Sequence, residues 1–162
     1  MKKRIKKAIA ALAIIILAIT VAGVTGLSFA AWPTFWPDHQ LSITPQCIEF
    51  LNGMRKNPKF QKDTEAGYPG ATSEAVRVDA ETRLNTLLDS LISGLPQNQR
   101  KAFVIKQFKE TLGQFEKFDS EEKDRLLLYL EDIMDEVGIR NSNELFNVWR
   151  YGFPYGLILR NT

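Results

Sequence analysis

Apolar side chains after residue 44 recur at spacings of three and four, the period of helices that are buried along one side. Five stretches of this kind follow one another along the chain. Their predicted inward-facing residues are Cys47, Phe50, Leu51 and Met54 in the first; Ala80, Leu84, Leu87, Leu88, Leu91 and Leu95 in the second; Val104, Ile105, Phe108, Leu112 and Phe115 in the third; Leu126, Leu127, Leu130, Ile133, Met134 and Val137 in the fourth; and Leu145, Val148 and Trp149 in the fifth. No run of four or more residues alternates convincingly between apolar and polar side chains. The pattern therefore predicts an all-α fold, a single compact bundle of about five helices over residues 45–162.

Capping and turn residues predict where the first helix starts and ends. Thr44 offers a hydroxyl cap, and Pro45 suits the first helical turn because it needs no hydrogen-bond donor there. Asn57 precedes Pro58 and is expected to end the helix. Residues 59–72 contain two glycines and a proline and are predicted as a long loop.

The second to fourth helices have comparable start signals. The second is predicted to begin near Ser73, and the third near Asn98 with Lys101 facing solvent. Asp119, followed three residues later by Glu122, resembles a capping box and predicts the start of the fourth helix.

The fourth and fifth helices have predicted ends as well. Gly138 is expected to end the fourth helix in a left-handed conformation. Asn141 with Glu144 repeats the start signal for the shorter fifth helix, which Gly152 and Pro154 should end.

Residues 1–31 are predicted as a transmembrane anchor or a signal peptide. Residues 1–7 hold five basic side chains, and the twenty residues from Ala8 to Leu27 carry no charge. A helix of that length measures about 30 Å, which is enough to cross a bilayer. Residues 32–44, which contain two prolines, are predicted as a linker to the domain.

Two interpretations of this segment stay open. A retained span would keep its basic end in the cytoplasm of a bacterium and place the domain on the periplasmic or exterior side of the inner membrane. A signal peptide cleaved near residues 28–30, which offer two small side chains, would release the domain into the periplasm. Ala18, Ala22 and Gly26 recur every four residues, so two spans could pack closely in a homodimer.

Charge and composition narrow the range of functions. Residues 1–7 hold five of the 21 basic side chains, so the rest of the chain has 16 basic and 19 acidic side chains and is negative by three. This balance argues against nucleic-acid binding. The chain has one cysteine and one histidine, which are too few for an internal disulfide framework or for a zinc site built from cysteines. We therefore expect no cofactor and no metal.

Cys47 is the strongest candidate for a nucleophile in covalent chemistry. A thiol in the first turn of a helix has its thiolate stabilised by free backbone donors, and His39 lies eight residues earlier as a conceivable base. However, Cys47 shares its apolar stripe with Phe50 and Leu51, so we expect it to pack as a small apolar side chain. No residue is predicted to be catalytic.

Carboxylates line the fourth predicted helix on the face opposite its leucines. They are Glu121, Glu122, Asp124, Glu131, Asp132, Asp135 and Glu136. The acid and the nucleophile of a glycosidase normally face each other across a cleft from different elements, and the spacing of a calcium-binding loop is absent. A solvated face and an acidic docking surface remain as interpretations.

Residues 146–155 hold five aromatic side chains with Arg150 among them, which suits either an interface or the lid of a small core. The predicted partner-binding residues are Glu131, Asp132, Asp135, Trp149, Arg150 and Tyr151.

Three stretches carry a resemblance to a known family. They are Gly67-Tyr68-Pro69-Gly70, Tyr129-Leu130-Glu131-Asp132-Ile133-Met134-Asp135 and Trp149-Arg150-Tyr151-Gly152-Phe153. Together they resemble a family of small bacterial all-helical domains of unknown function, over roughly residues 45–155. The resemblance implies one helical domain and transfers no catalytic residue.

Three functions from different classes follow as hypotheses. The first is a non-enzymatic binding module, exported or membrane-anchored, that inhibits a protein partner in the cell envelope as an immunity protein does. The second is a structural subunit of a membrane assembly that works through its span. The third, an envelope enzyme, is the least favoured because no combination of base, nucleophile and orienting group is visible.

Overall fold

The computed structural model describes residues 12–21 and 38–152. Its helices are α1 (12–21), α2 (Pro45–Lys56), α3 (Glu74–Gly94), α4 (Lys101–Gln114), α5 (Ser120–Glu136) and α6 (Leu145–Tyr151). Strands are absent from both of these ranges, where β pairing is limited to two isolated bridges. The predicted all-α fold is confirmed.

Helix α1 lies within the predicted span. Among the described residues, no helix is both long enough and apolar enough to cross a membrane. Ala18 belongs to α1, whereas Ala8, Leu27, Ala22 and Gly26 lie outside the described residues.

The hydroxyl caps of α2 and α3 are confirmed. The Oγ1 of Thr44 accepts a hydrogen bond from the Cys47 N–H at 3.3 Å, and the Oγ of Ser73 accepts one from the Val76 N–H at 3.2 Å. Each bond satisfies one of the free donors in a first helical turn.

The stop of α5 is confirmed as well. Gly138 has a φ of +78°. The Ile139 N–H donates to the carbonyl of Met134 at 2.8 Å, and the Gly138 N–H donates to that of Asp135 at 3.2 Å. These are the two bonds of a Schellman motif, in which a left-handed glycine lets the chain fold back over the last helical carbonyls.

The other predicted helix starts are confirmed in part: α5 begins directly after Asp119 as predicted, whereas α4 and α6 begin later along the chain than predicted. Helix α4 begins at Lys101, and Arg100 precedes it without a side-chain cap bond. The capping box at α5 does not form, because the Asp119 side chain makes no cap bond and Glu122 instead accepts the Thr72 N–H at 3.3 Å.

Helix α6 begins at Leu145 after a left-handed Glu144 that provides no side-chain cap. The Oδ1 of Asn141 accepts from the Nζ of Lys101 at 3.1 Å and from the Asn143 N–H at 3.3 Å, so it is engaged in the preceding turn. The side chain of Asn141 therefore binds Lys101, which is distant in sequence, and does not cap α6 as the sequence suggests.

One core joins α2, α3, α4 and α5 and receives Leu145 and Phe146 from α6. The predicted inward residues of α3 and α4 are all buried. Phe50 was predicted to be inward and is 38% exposed, because Cys47 and Leu51 on the neighbouring side of α2 face the core. Two predicted solvent positions, Lys101 and Glu122, are buried.

The loop 59–72 contributes Phe60 and Tyr68 to the core. Residues 38–41 lie within the predicted linker 32–44, and the structure bonds them to the start of α4 and to the turn before it. The Leu41 N–H donates to the Gln99 carbonyl at 2.8 Å, and Leu41 itself is buried.

Candidate functional site

The exposed large apolar side chains of the folded domain include one on α2 and one on α5. Phe50 is 38% exposed and Leu128 is 45% exposed. A surface groove of about 530 Å³ is lined by Phe50, Asp132, Asp135 and Glu136. Leu128 lies one helical turn before Asp132 on α5. We call these five residues the acidic face.

The carboxylates of the acidic face have no basic partner. None of Asp132, Asp135 and Glu136 forms an ion pair with any residue that the structure describes, and neither does Glu131. Partial burial and the charge of Asp135 raise the pKa of Asp132, with Arg125 acting in the opposite direction. Carboxylates without an ion-pair partner therefore surround the exposed ring of Phe50.

The structure divides the predicted partner-binding residues into two groups. Glu131, Asp132 and Asp135 are exposed on α5. Trp149 packs partly buried against the core, and its indole N–H has no acceptor among the described residues.

The other two predicted residues of α6 lie beside each other. Arg150 binds the carboxylate of Asp124 on α5 through two bonds of 2.5 and 3.1 Å. Its guanidinium lies 5.4 Å from the ring centroid of Tyr151, which is half exposed. Arg150 is therefore already occupied within the domain.

Phe50 was predicted to face the core, and the sequence pattern gave no surface role to Leu128, yet both side chains are exposed. Phe50 lies at helical spacing from Cys47 and Met54, and that spacing also suits a core position. Only the orientation of α2 against its neighbours shows that Phe50 faces outward.

Cys47 is buried, as predicted. Its thiol donates to the Glu136 carbonyl at 3.3 Å and lies 3.4 Å from the Oγ1 of Thr44. His39 is exposed, and its carbonyl accepts the Lys101 N–H at 3.0 Å. Within residues 12–21 and 38–152, no group of three or more His, Cys, Asp or Glu side chains is arranged to hold a metal ion.

A second cluster joins the loop 59–72 to α5, and it contains residues from two of the three stretches that carried the family resemblance. The Arg125 guanidinium lies 5.5 Å from the ring centroid of Tyr68 and 5.1 Å from that of Tyr129. The Nη2 of Arg125 donates to the Oδ2 of Asp63 at 3.0 Å. Asp63 and Tyr68 also exchange two backbone bonds, of 2.9 and 2.8 Å. The cluster fixes the loop on the helix.

Three buried polar atoms in and beside this cluster have no hydrogen-bond partner among the described residues: the hydroxyl of Tyr68, the Nε of Arg125 and the Oε2 of the neighbouring Glu122. Burial, followed by the negative charge of Glu122, raises the pKa of Tyr68 to about 12. Tyr68 therefore stays neutral in the folded protein at a pH where an unfolded tyrosine ionises.

We expect Tyr68→Phe to raise the free energy of unfolding at pH 7 by about 1 kcal/mol, because it removes a buried hydroxyl that has no partner. The pKa of Tyr68 is higher in the folded protein than in the unfolded chain. Ionisation of Tyr68 therefore leaves the free energy of unfolding of the wild type unchanged below pH 10 and lowers it as the pH rises towards 12. The wild type should thus lose about 2 kcal/mol more than the variant across this window.

Urea unfolding at a series of pH values measures both effects. Tyr151→Phe, at a half-exposed position on α6, is the control and should keep the alkaline loss of the wild type. An equal alkaline loss in Tyr68→Phe and wild type would contradict the assignment to Tyr68.

No curated protein and no solved structure matches this chain. A family model described as a domain of unknown function (DUF4844) matches residues 42–154, which include the acidic face, the cluster between loop and α5, and helix α6. The predicted resemblance to a family of unknown function is thereby confirmed, and the chain belongs to the DUF4844 family.

Proposed function

We propose that this domain is a non-enzymatic binding module that recognises a cationic, partly apolar segment of a protein partner in the cell envelope. The observation that carries the proposal is the acidic face, where carboxylates without basic partners surround an exposed phenylalanine. Lysine or arginine side chains of a partner would supply the missing positive charge. An aliphatic or aromatic side chain would cover Phe50.

The chemistry of the acidic face gives each part a different role. Unpaired carboxylates attract a cationic partner over a distance and exclude acidic ones, which raises the association rate and the specificity. The exposed apolar side chains Phe50 and Leu128 supply affinity, since each Å² of apolar surface removed from water contributes roughly 25 cal/mol. An inhibitor or immunity-type protein that blocks a basic site on its partner would need both.

Envelope localisation is part of the proposal. Large apolar side chains are exposed along α1 and are available to contact lipid. They are Leu12, Ile14, Ile15, Ile16, Leu17, Ile19 and Val21. Five basic side chains precede this helix in residues 1–7 and would stay on the cytoplasmic side.

The same exposed side chains of α1 favour a second candidate, a structural subunit of a membrane assembly whose main contact is the span itself. In that case the sequence of residues 8–27 would determine partner choice. In the binding-module proposal the segment serves as an anchor or signal only.

Capture from an envelope extract by the full chain tests the proposal. We expect Asp132→Lys with Asp135→Lys to abolish capture of a partner that the wild type retains, because both reversals place positive charge on the acidic face. Glu65→Lys with Glu116→Lys is the matched control. It changes the net charge equally at two exposed positions elsewhere and should capture normally.

Equal capture by the two reversed variants would contradict a role for the acidic face. A chain in which an unrelated span replaces residues 8–27 separates the two candidates. The binding module should still capture its partner, whereas the membrane subunit should lose it.

A further inference from the structure

The turn between α5 and α6 has a backbone that its side chains do not favour. Asn143 and Glu144 follow one another with φ of +54° and +67°. Asparagine tolerates the left-handed region, but glutamate rarely adopts it. Glu144 also precedes the first residue of α6, where an extended backbone is usual. Contacts from elsewhere in the fold must therefore hold this turn.

Lys101, at the start of α4, supplies such a contact. Its side chain is only 3% exposed. The Nζ donates to the Oδ1 of Asn141 at 3.1 Å and to the Oδ1 of Asn143 at 2.7 Å. No acidic side chain in the described ranges forms an ion pair with this ammonium group, so its partners are neutral amides. Burial lowers the pKa of Lys101, and the charge of Asp38 acts in the opposite direction.

Few other contacts keep α6 in place. The helix has seven residues, fewer than an isolated helix needs for stability in water. Leu145 and Phe146 are buried, with the ring of Phe146 centred 6.0 Å from that of Phe108, and Trp149 packs partly buried against the core. At the other end of α6, the Arg150 pair with Asp124 is partly open to solvent. Local opening of α6 should therefore require much less free energy than global unfolding.

We infer that α6 is a hinged strap, with residues 143–144 as the hinge and Lys101 as the positioning residue that keeps the strap closed. Opening withdraws Phe146 from Phe108 and separates Arg150 from Asp124. Asp124 lies one helical turn before Leu128, so the open state adds a free carboxylate next to the acidic face. The strap does not depend on the proposed function, since its evidence lies within the domain alone.

Amide hydrogen exchange on the full chain tests this inference. Lys101→Met keeps the apolar stem and removes the donors. We expect exchange in residues 145–152 to become faster on the order of ten-fold, while amides of α3 keep their wild-type protection. Lys106→Met, at an exposed position on α4, is the control and should leave residues 145–152 unchanged. Unchanged exchange in Lys101→Met, or equal acceleration in α3 and α6, would overturn the inference.

Glu144→Asn provides a test that does not require Lys101→Met to fold. Asparagine accepts the left-handed conformation more readily than glutamate, so the closed strap should gain stability. We expect exchange in residues 145–152 to become slower by roughly two- to five-fold, with α3 unaffected. Exchange that is unchanged or faster in this variant would overturn the assignment of the hinge.

Discussion

Phe60→Ala is expected to lower the free energy of unfolding by about 3–5 kcal/mol, which places it among the most destabilising single substitutions in the domain. The Phe60 side chain is fully buried and lies between two other rings, with centroid distances of 5.9 Å to Phe115 and 5.3 Å to Tyr129. Its N–H also donates to the Tyr129 hydroxyl at 3.2 Å. Truncation leaves a cavity where the loop 59–72 meets α5. Urea unfolding followed by circular dichroism measures the loss.

Phe50→Ala is the matched control, because the same change is made on the acidic face. We expect it to cost less than about 1 kcal/mol. A loss below about 1 kcal/mol in Phe60→Ala would mean that the loop does not contribute to the core as the structure indicates.

Lys59→Met is expected to cost about 3 kcal/mol, the second large effect on stability. The Nζ of Lys59 donates to the carbonyls of Met54, Arg55 and Asn57 at 2.7, 3.3 and 2.6 Å. These groups lie at the C-terminal end of α2, where carbonyls lack partners within the helix and positive charge is stabilising. Methionine fills the space of the stem and leaves the carbonyls without this donor.

Lys56→Met tests whether the effect is specific to the cap. Lys56 is exposed in the last turn of the same helix, so its substitution should change the stability by less than about 0.5 kcal/mol. Equal losses in the two variants would show that net charge, rather than the bonds of Lys59, determines the stability of α2.

Features that depend on neighbours within three or four residues were predictable from the sequence. Thr44 and Ser73 cap their helices with donors three residues ahead, and Gly138 ends α5 through bonds to its last turn. The periodic apolar residues of α3 and α4 likewise gave the buried side of each helix. These features depend only on residues three or four positions apart, so a single sequence is enough to predict them.

Features that depend on distant partners were not predictable. Lys101 can be buried because two asparagines about forty residues later in the chain accept hydrogen bonds from its ammonium group. Glu122 can be buried because its carboxylate accepts a hydrogen bond from the N–H of Thr72, fifty residues earlier. Both side chains are charged, so the pattern of apolar and polar residues in the sequence predicts that they face solvent. Phe50 is the converse case, an apolar residue at helical spacing that the packing of α2 leaves outside. The sequence therefore predicted the carboxylates of the acidic face but not its exposed apolar side chains.

The affinity of the captured partner for the full chain tests the central proposal most directly. We predict that Asp132→Lys with Asp135→Lys raises the Kd on the order of 100-fold, and that added salt weakens wild-type binding. Phe50→Ala should weaken binding as well, without the same change in salt dependence. A Kd for the charge-reversed variant equal to that of the wild type would contradict recognition of a cationic partner by the acidic face.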